Sequence, residues 1–516
     1  MSRRLFGPEG IVLSGFFMLT LFCCAQASDE MIHPDSWVYT ALRKFELLGL
    51  IHLEPHLPYA RTEISSYVDR ILSNLGREGT RLHPHYAFLL DRLRGEFQGK
   101  EDRPGEREDP PIITYREGGR FVAFDCALGG VVQKRVDSVK GEADGLFFWN
   151  ALVDLGWKAT LETSYRLTLA PERELNRRAL QPAPRQRSFR GLTAEYERAY
   201  IAFRGSRWRL RFGRDYLQWG SAPEEGLILS RTAGSLDNIT ASVHMGRFAL
   251  HTFQAFLDPQ RRRRLAGHRF TVRLPRGIFV GIAETVLYAG RDLEFAYLLP
   301  FGSYYANQYN EAGNDNILWS IDWKIPVCRG CICYGEFLID DFQYEGDPPA
   351  PNRLGFNCTV ESAVHVGGVP LELSLGYTRI DIYTYAHLDT LTSYLAGSGS
   401  ASTEYLIGTP LGPDADRWRF KAAVPVHRRV VLAVGAELKR FGEGRDLVSW
   451  REGDDVNPPF PSGAVLKERL VSGEGAVDLG GGSHVRAGGG MRYRSGGVDG
   501  GDAEDGYAYL ELIVDF

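Results

Sequence analysis

The sequence predicts an all-β transmembrane barrel of about 18 antiparallel strands with a plugged lumen, preceded by a small N-terminal α-helical segment. Three observations predict it. Apolar and polar residues alternate at period two from Gly119 onward. The connections between the alternating runs are short and long in turn. The chain opens on an export signal and closes on a strand whose last residue is Phe516.

Arg3 and Arg4 precede a short apolar run, Ile11 to Cys24, and Ala25-Gln26-Ala27 fits a cleavage site, so residues 1–27 read as a signal peptide. No later run reaches the roughly 18 apolar residues of a spanning helix. The 58 Gly, 28 Phe and 24 Tyr, against 5 Met, suit turns and strands better than helical bundles. A net charge of −5 gives no indication of nucleic acid. Five cysteines follow the signal: Cys126, Cys328, Cys331, Cys333 and Cys358. The odd number excludes a fully paired framework.

Residues 28–98 read as a periplasmic helical segment. Trp37, Leu42, Phe45 and Leu48 recur at helical spacing, and Val68, Ile71, Leu72 and Leu75 mark a second helix with Thr62 as its expected N-cap. A third is expected from Pro84 to Phe97. Residues 99–118 are charged and proline-rich, a linker composition. The barrel is expected over 119–516.

Within it, Trp208, Leu210 and Phe212 alternate with Arg207, Arg209 and Arg211, and Phe270 and Val272 with Arg269 and Arg273. Trp319, Ile321, Trp323 and Ile325 alternate with Ser320, Asp322 and Lys324, and Trp418 and Phe420 with Arg417, Arg419 and Lys421. In a membrane barrel the apolar row faces lipid and the charged row the lumen. Ala508, Leu510, Leu512, Val514 and Phe516 form the last apolar row, which resembles the C-terminal signal read by the outer-membrane assembly machinery. Short connections fall at Gly205-Ser206, Met245-Gly246, Gly367-Gly368 and Gly480-Gly481. Long ones include 170–192, 215–235, 288–314, 383–415 and 441–463. Short periplasmic turns and long external loops are the habit of outer-membrane barrels. An even strand number puts both chain ends on the periplasmic side.

So wide a barrel is not filled by its own wall. The stretches 215–235 and 288–314 carry Tyr216, Leu217, Trp219, Leu227, Leu298, Leu299, Phe301, Tyr304 and Tyr305, which a solvated loop has no need of. Both are expected to fold inward as a plug.

Arg214 and Asp215 offer hydrogen bonds to a sugar, with Trp219 as a stacking face; the same residues also suit a structural ion pair and packed aromatics, the reading favoured here. Glu336 and Asp340 share one strand row beside Asp341. Paired carboxylates can serve as acid and base, but these are expected to meet lumenal arginines, with no catalytic role. Arg261, Arg262, Arg263 and Arg264 stand in an expected external loop, as a site for acidic polysaccharide or lipopolysaccharide phosphate or as a solvated charged turn. Cys328, Cys331 and Cys333 suggest a disulfide within a periplasmic turn rather than a metal site. No cofactor or metal is expected.

The helical lead from Tyr39 to Ile71, the GRDYLQWG segment at 213–220, Glu294 to Pro300 with Tyr297 at its centre, and the GEFLIDDF strand at 335–342 resemble, in order and spacing, the capsule-assembly Wzi family of outer-membrane proteins. The resemblance implies an occluded eighteen-stranded barrel that binds or organises a capsular or other surface polysaccharide, without turnover. Its partners would be that glycan, the lipid and lipopolysaccharide of the outer membrane, and the assembly machinery through Phe516. The alternative is an outer-membrane channel for anionic solutes or oligosaccharides.

Overall fold

The computed structural model describes residues 30–515, apart from 79–80, 99–111, 118–119, 136–140, 156–158, 170–191, 223–224, 312, 344–349, 398–405 and 499. The expected signal peptide, most of the expected linker and Phe516 lie outside the described residues.

Eighteen long strands, each antiparallel to the next in sequence, form a closed barrel. They are β1 (Arg120–Arg135), β2 (Gly141–Asp154), β3 (Ala159–Leu169), β4 (Leu192–Arg204), β5 (Trp208–Asp215) and β6 (Leu236–Met245). β7 (Phe248–Asp258), β8 (Arg263–Arg273), β9 (Phe279–Tyr288), β10 (Asn316–Cys328), β11 (Cys331–Asp341) and β12 (Arg353–Val366) continue the wall. β13 (Val369–Ile380), β14 (Ala415–His427), β15 (Val430–Phe441), β16 (Leu466–Gly480), β17 (Ser483–Gly496) and β18 (Ala503–Asp515) complete it. β18 closes on β1, in register from Tyr507↔Arg135 to Asp515↔Ala127. Among the described residues, closure pairs each of the eighteen strands on both sides, where an unpaired N–H or C=O would cost several kcal/mol in hydrocarbon.

The alternation sorts the faces. Ser320, Asp322 and Lys324 are buried toward the lumen, while Trp319, Ile321 and Ile325 stand exposed on the outside. On β18, Leu510 and Leu512 face out and the Tyr509 hydroxyl bonds Glu474 inside. Tight turns at 246–247, 329–330, 367–368, 428–429 and 481–482 mark one end of the barrel, and the long connections the other. Gly367 and Gly368 both have positive φ, 60° and 82°, as a two-residue hairpin turn requires.

Two expectations need correction here. Ile113–Glu117, inside the expected linker, is a strand paired with Arg120–Phe124 of β1; its alternation of Ile113 and Tyr115 with Thr114 and Arg116 is a period-two signal too short to stand out. The five cysteines are free thiols. Cys333 packs against Cys358, Sγ to Sγ 3.8 Å, because both occupy the outward row of neighbouring strands.

Three helices close the short-turn end: α1 (Trp37–Leu47), α2 (Arg61–Glu78) and α3 (Pro84–Phe97). Ser36 caps α1 through Val38 N. At α2 the cap is Ala60 rather than Thr62: the Glu63 carboxylate reaches back to Ala60 N at 2.7 Å, half of a capping box. Leu42, Phe45, Val68, Ile71 and Leu93 are fully buried between the helices, each contributing about 1.5–3 kcal/mol by burial.

The helices are held to the barrel by charge. Glu46, fully buried, accepts from Lys324 Nζ of β10 at 2.6 Å, from Arg43 at 2.5 Å and from Leu53 N at 2.7 Å. Lys44 meets Glu372, Arg43 meets Glu361 at 2.7 Å, and Arg92 meets Asp478. Ahead of α1 the chain enters the lumen, where Met31 N donates to the Tyr200 hydroxyl at 2.7 Å and Met31 O accepts from Arg198.

Glu46→Ala leaves Lys324 buried without its carboxylate, a loss of about 3–5 kcal/mol. The expected outcome is that protease cuts the 30–98 segment at markedly lower urea than in wild type, while the barrel's heat-modifiable gel mobility stays unchanged. Equal protease resistance in the two proteins would show that this pair does not hold the helices.

Candidate functional site

The lumen is blocked by two segments from the long-loop end. The first, between β5 and β6, brings Leu217, Trp219, Leu227, Ile228 and Leu229 into one buried cluster. The second, between β13 and β14, adds Tyr385, Tyr394, Leu395, Leu406 and Ile407 to it. The wall contributes Phe253, Leu265, Leu287, Leu318 and Leu338 from the inward rows. Tyr385 and Tyr394 stack at 5.8 Å and donate to Leu227 O and Ile228 O, both at 2.8 Å. Ser230 N donates to Ile407 O, tying the segments together.

Irregular backbone at this depth needs partners, and strand side chains supply them. Glu336 accepts from Leu227 N at 2.6 Å and Ile228 N at 3.1 Å. Asp340 accepts from Tyr385 N. Asn316 donates to Thr392 O. Arg263, wholly buried, donates to the carbonyls of Leu391, Ser393, Leu395 and Gly397. Glu336 and Asp340 thus hold the plug backbone rather than meeting lumenal arginines, because the plug comes between. Asp341 stands 3.9 Å from Arg353.

From the other end, His56–Leu57 pairs as a short ribbon with Gln218–Trp219 of the plug. Arg231 of the plug donates to Pro34 O at 3.0 Å and bonds Asp35. Glu54, His56, His244 and His251 gather beside this ribbon. Burial, reinforced by His244 and by Arg209, holds the His56 pKa well below its ordinary value, so the ring is neutral at pH 7.

The sequence-derived residues separate. Arg214 lies on the outward row and forms a two-point pair with Asp237 across β5 and β6, at 2.7 and 2.8 Å. Asp215, one residue on, points inward into the grip of Arg198 at 2.8 Å and Arg211 at 2.5 Å. Alternation forbids the Arg214–Asp215 pair. Trp219 is 4% exposed and packs edge-on against Phe253 at 5.0 Å, so it stacks on protein and offers no sugar face. Arg261 and Arg262 are exposed near Asp258 and Asp292; Arg263 turns inward, and Arg264 bonds Arg291 O.

The stretch 288–314 is not a plug. It folds over the outside of the barrel. Glu284 sits on the outward row of β9, above the exposed Ile282. It accepts from Tyr304 N at 3.0 Å, Tyr305 N at 2.9 Å and Trp319 Nε1 at 2.9 Å, with His268 at 3.2 Å. It thereby anchors the N-terminus of α4 (Tyr304–Glu311), where a carboxylate is favoured. Tyr297 is buried against the wall, its hydroxyl on Asp315 at 2.6 Å, and Glu294 holds Arg291 at 2.7 Å. Phe301, Phe295 and Tyr309 are 83%, 75% and 72% exposed on this segment.

The rim at the long-loop end is organised by Asp414, which accepts from Gly444 N, Ser462 N and Ser462 Oγ. Tyr383 lies beside Asp454 and Asp455; burial, then these two, raise its hydroxyl pKa. Arg379 covers the Phe460 ring at 3.7 Å, and Trp450 donates to Asp454 O. Sequence reasoning missed this rim and the second plug segment; the aromatics of 383–415 were the available signal.

Two kinds of comparison place the architecture. The model of the family Capsule assembly protein Wzi matches residues 148–423. The solved Escherichia coli outer-membrane protein Wzi, described as a carbohydrate-binding β-barrel involved in group 1 capsule assembly, is 14% identical, with a TM-score of 0.59 over 95% of this chain and 100% of that one. At that identity the likeness is one of fold. Pseudomonas aeruginosa OprD (10% identity, TM-score 0.43, 77% of this chain and 95% of that chain) and OpdK with vanillate (12%, 0.45, 77% and 99%) are weaker matches. No curated protein matches the sequence. With its family model spanning more than half of the sequence and an occluded eighteen-stranded wall around it, the chain belongs to the capsule assembly protein Wzi family.

Proposed function

We propose that the protein sits in the outer membrane of a Gram-negative bacterium and binds or organises a surface polysaccharide there, as an attachment platform without turnover. The observation that carries this is the occlusion: two plug segments fill the lumen and are hydrogen-bonded to the wall by Glu336, Asp340 and Arg263. A barrel sealed in this way serves as a rigid base for its outer rim. Membership of a capsule-assembly family and the carbohydrate binding described for the E. coli barrel support a glycan as the ligand.

The glycan face in this reading is the rim. Tyr383 and Trp450 provide aromatic surface, and Asp454, Asp455, Arg261 and Arg262 provide polar contacts. Arg214, Asp215, Trp219, Glu294 and Tyr297 keep structural roles. The helices at the short-turn end are periplasmic in this orientation. The 289–311 segment then lies at the outer leaflet, where exposed Phe295, Phe301 and Tyr309 meet lipid, as aromatic side chains do in membrane girdles. Arg261 and Arg262 stand close enough to meet lipopolysaccharide phosphate.

Deleting the gene is expected to shift polysaccharide from the cell surface to the medium, and a Tyr383→Ala/Trp450→Ala variant to restore retention only in part, both read by immunoblot of cell-bound and released glycan. Unchanged retention in the deletion strain would overturn the reading. In planar bilayers the wild-type protein is expected to stay closed. Glu336→Ala orphans two buried N–H groups, about 1–3 kcal/mol each, and is expected to add brief openings. Steady large wild-type currents would instead favour the channel.

A further inference from the structure

We propose that the protein binds one divalent transition-metal ion, of the zinc type, between its N-terminal segment and the barrel wall, through Glu54, His56 and His251 with His244 as the fourth ligand. The ligands come from two sources. Glu54 and His56 belong to the segment between α1 and α2; His244 and His251 point into the lumen from β6 and β7. Donor atoms of Glu54, His56 and His251 all lie within 4.8 Å of one another. Glu54 Oε2 is 3.9 Å from His56 Nδ1 and 3.6 Å from His244 Nδ1. The His56 and His251 rings are 4.6 Å apart, and those of His244 and His251 5.6 Å. Ligands 2.0–2.1 Å from a tetrahedral zinc are about 3.3 Å from one another. The two Glu54 contacts need to close by only a few tenths of an ångström, and the widest pair among Glu54, His56 and His251 by up to about 1.5 Å, an approach that side-chain rotation supplies.

A second observation points to a ligand. His56 is 8% exposed, and its Nδ1, the nitrogen facing Glu54, is buried with no hydrogen-bond partner. Such an atom is costly unless something occupies its lone pair. Imidazole nitrogen with one carboxylate oxygen is a donor set for zinc and its neighbours rather than for calcium or magnesium. Three of the nearby guanidinium groups are engaged elsewhere: Arg209 on Glu63 at 3.0 Å, Arg211 on Asp215 and Arg269 on Asp322 at 2.8 Å. Glu54 is partly exposed and gives the ion a way in. A metal here staples the helical segment to the strands behind it.

The test uses the full-length protein in detergent, stripped with chelator and with its thiols alkylated so that Cys328, Cys331 and Cys333 cannot bind. Zinc chloride is titrated by calorimetry, and cobalt(II) is added for its visible spectrum. The expected result is one ion per chain, a tetrahedral cobalt band, and a rise of several degrees in the thermal midpoint of the helical signal. His251→Ala and His56→Gln are each expected to weaken binding at least tenfold and to abolish the thermal shift. His251→Ala is not needed for folding if its chelated protein melts like chelated wild type, which separates loss of ligand from loss of fold. No binding by wild type, or binding unchanged in both variants, overturns the proposal.

Discussion

Every polar backbone group at membrane depth must find its partner inside the molecule. The eighteen-strand wall satisfies this by closing on itself, β18 against β1. The plug cannot, since it is irregular chain. Its N–H and C=O groups are taken up by side chains that the wall sends inward: Glu336 on two amides, Asp340 on a third, Arg263 on four carbonyls. Part of the polar inward row of β8 to β11 is thus explained by the segment it holds.

Four of the lumenal arginines follow the same rule. Arg269 makes a buried two-point contact with Asp322, Arg211 with Asp215 makes another pair, and Arg417 and Arg419 meet Glu225 and Glu437. Read as a row, these residues look like an anion-attracting surface. Paired across strands and to the plug, their charge is spent within the protein. Lys324 follows the pattern with a partner from α1, so part of the wall's charge is balanced only once the helices are in place.

The wall was legible because strands impose a period. Trp319-Ser320-Ile321-Asp322 states which residues face out: Trp319 and Ile321 are exposed, Ser320 and Asp322 buried. The hairpin glycines and the alternation of connection lengths gave the strand count by the same logic. Loops impose no period, and there the reading failed in informative ways. Aromatics at 288–314 and at 383–415 look alike in sequence, yet the first segment lies on the outer wall and the second fills the lumen. What distinguishes them is the location of the anchor, Glu284 on an outward row and Arg263 on an inward one, and that is known only once register assigns each strand residue to a face. Arg214 and Asp215 show the limit at its smallest: adjacent residues in a strand cannot share a site, however well their chemistry matches.

The four-residue ribbon of His56–Leu57 and Gln218–Trp219 joins a segment that entered from one mouth to a segment that entered from the other. Arg231 on Pro34 adds a second stitch. Load applied to the outer lip is therefore carried by covalent chain and hydrogen bonds to the helices at the opposite mouth. Among the described residues the molecule thus has a mechanical linkage through its middle, from one mouth of the barrel to the other.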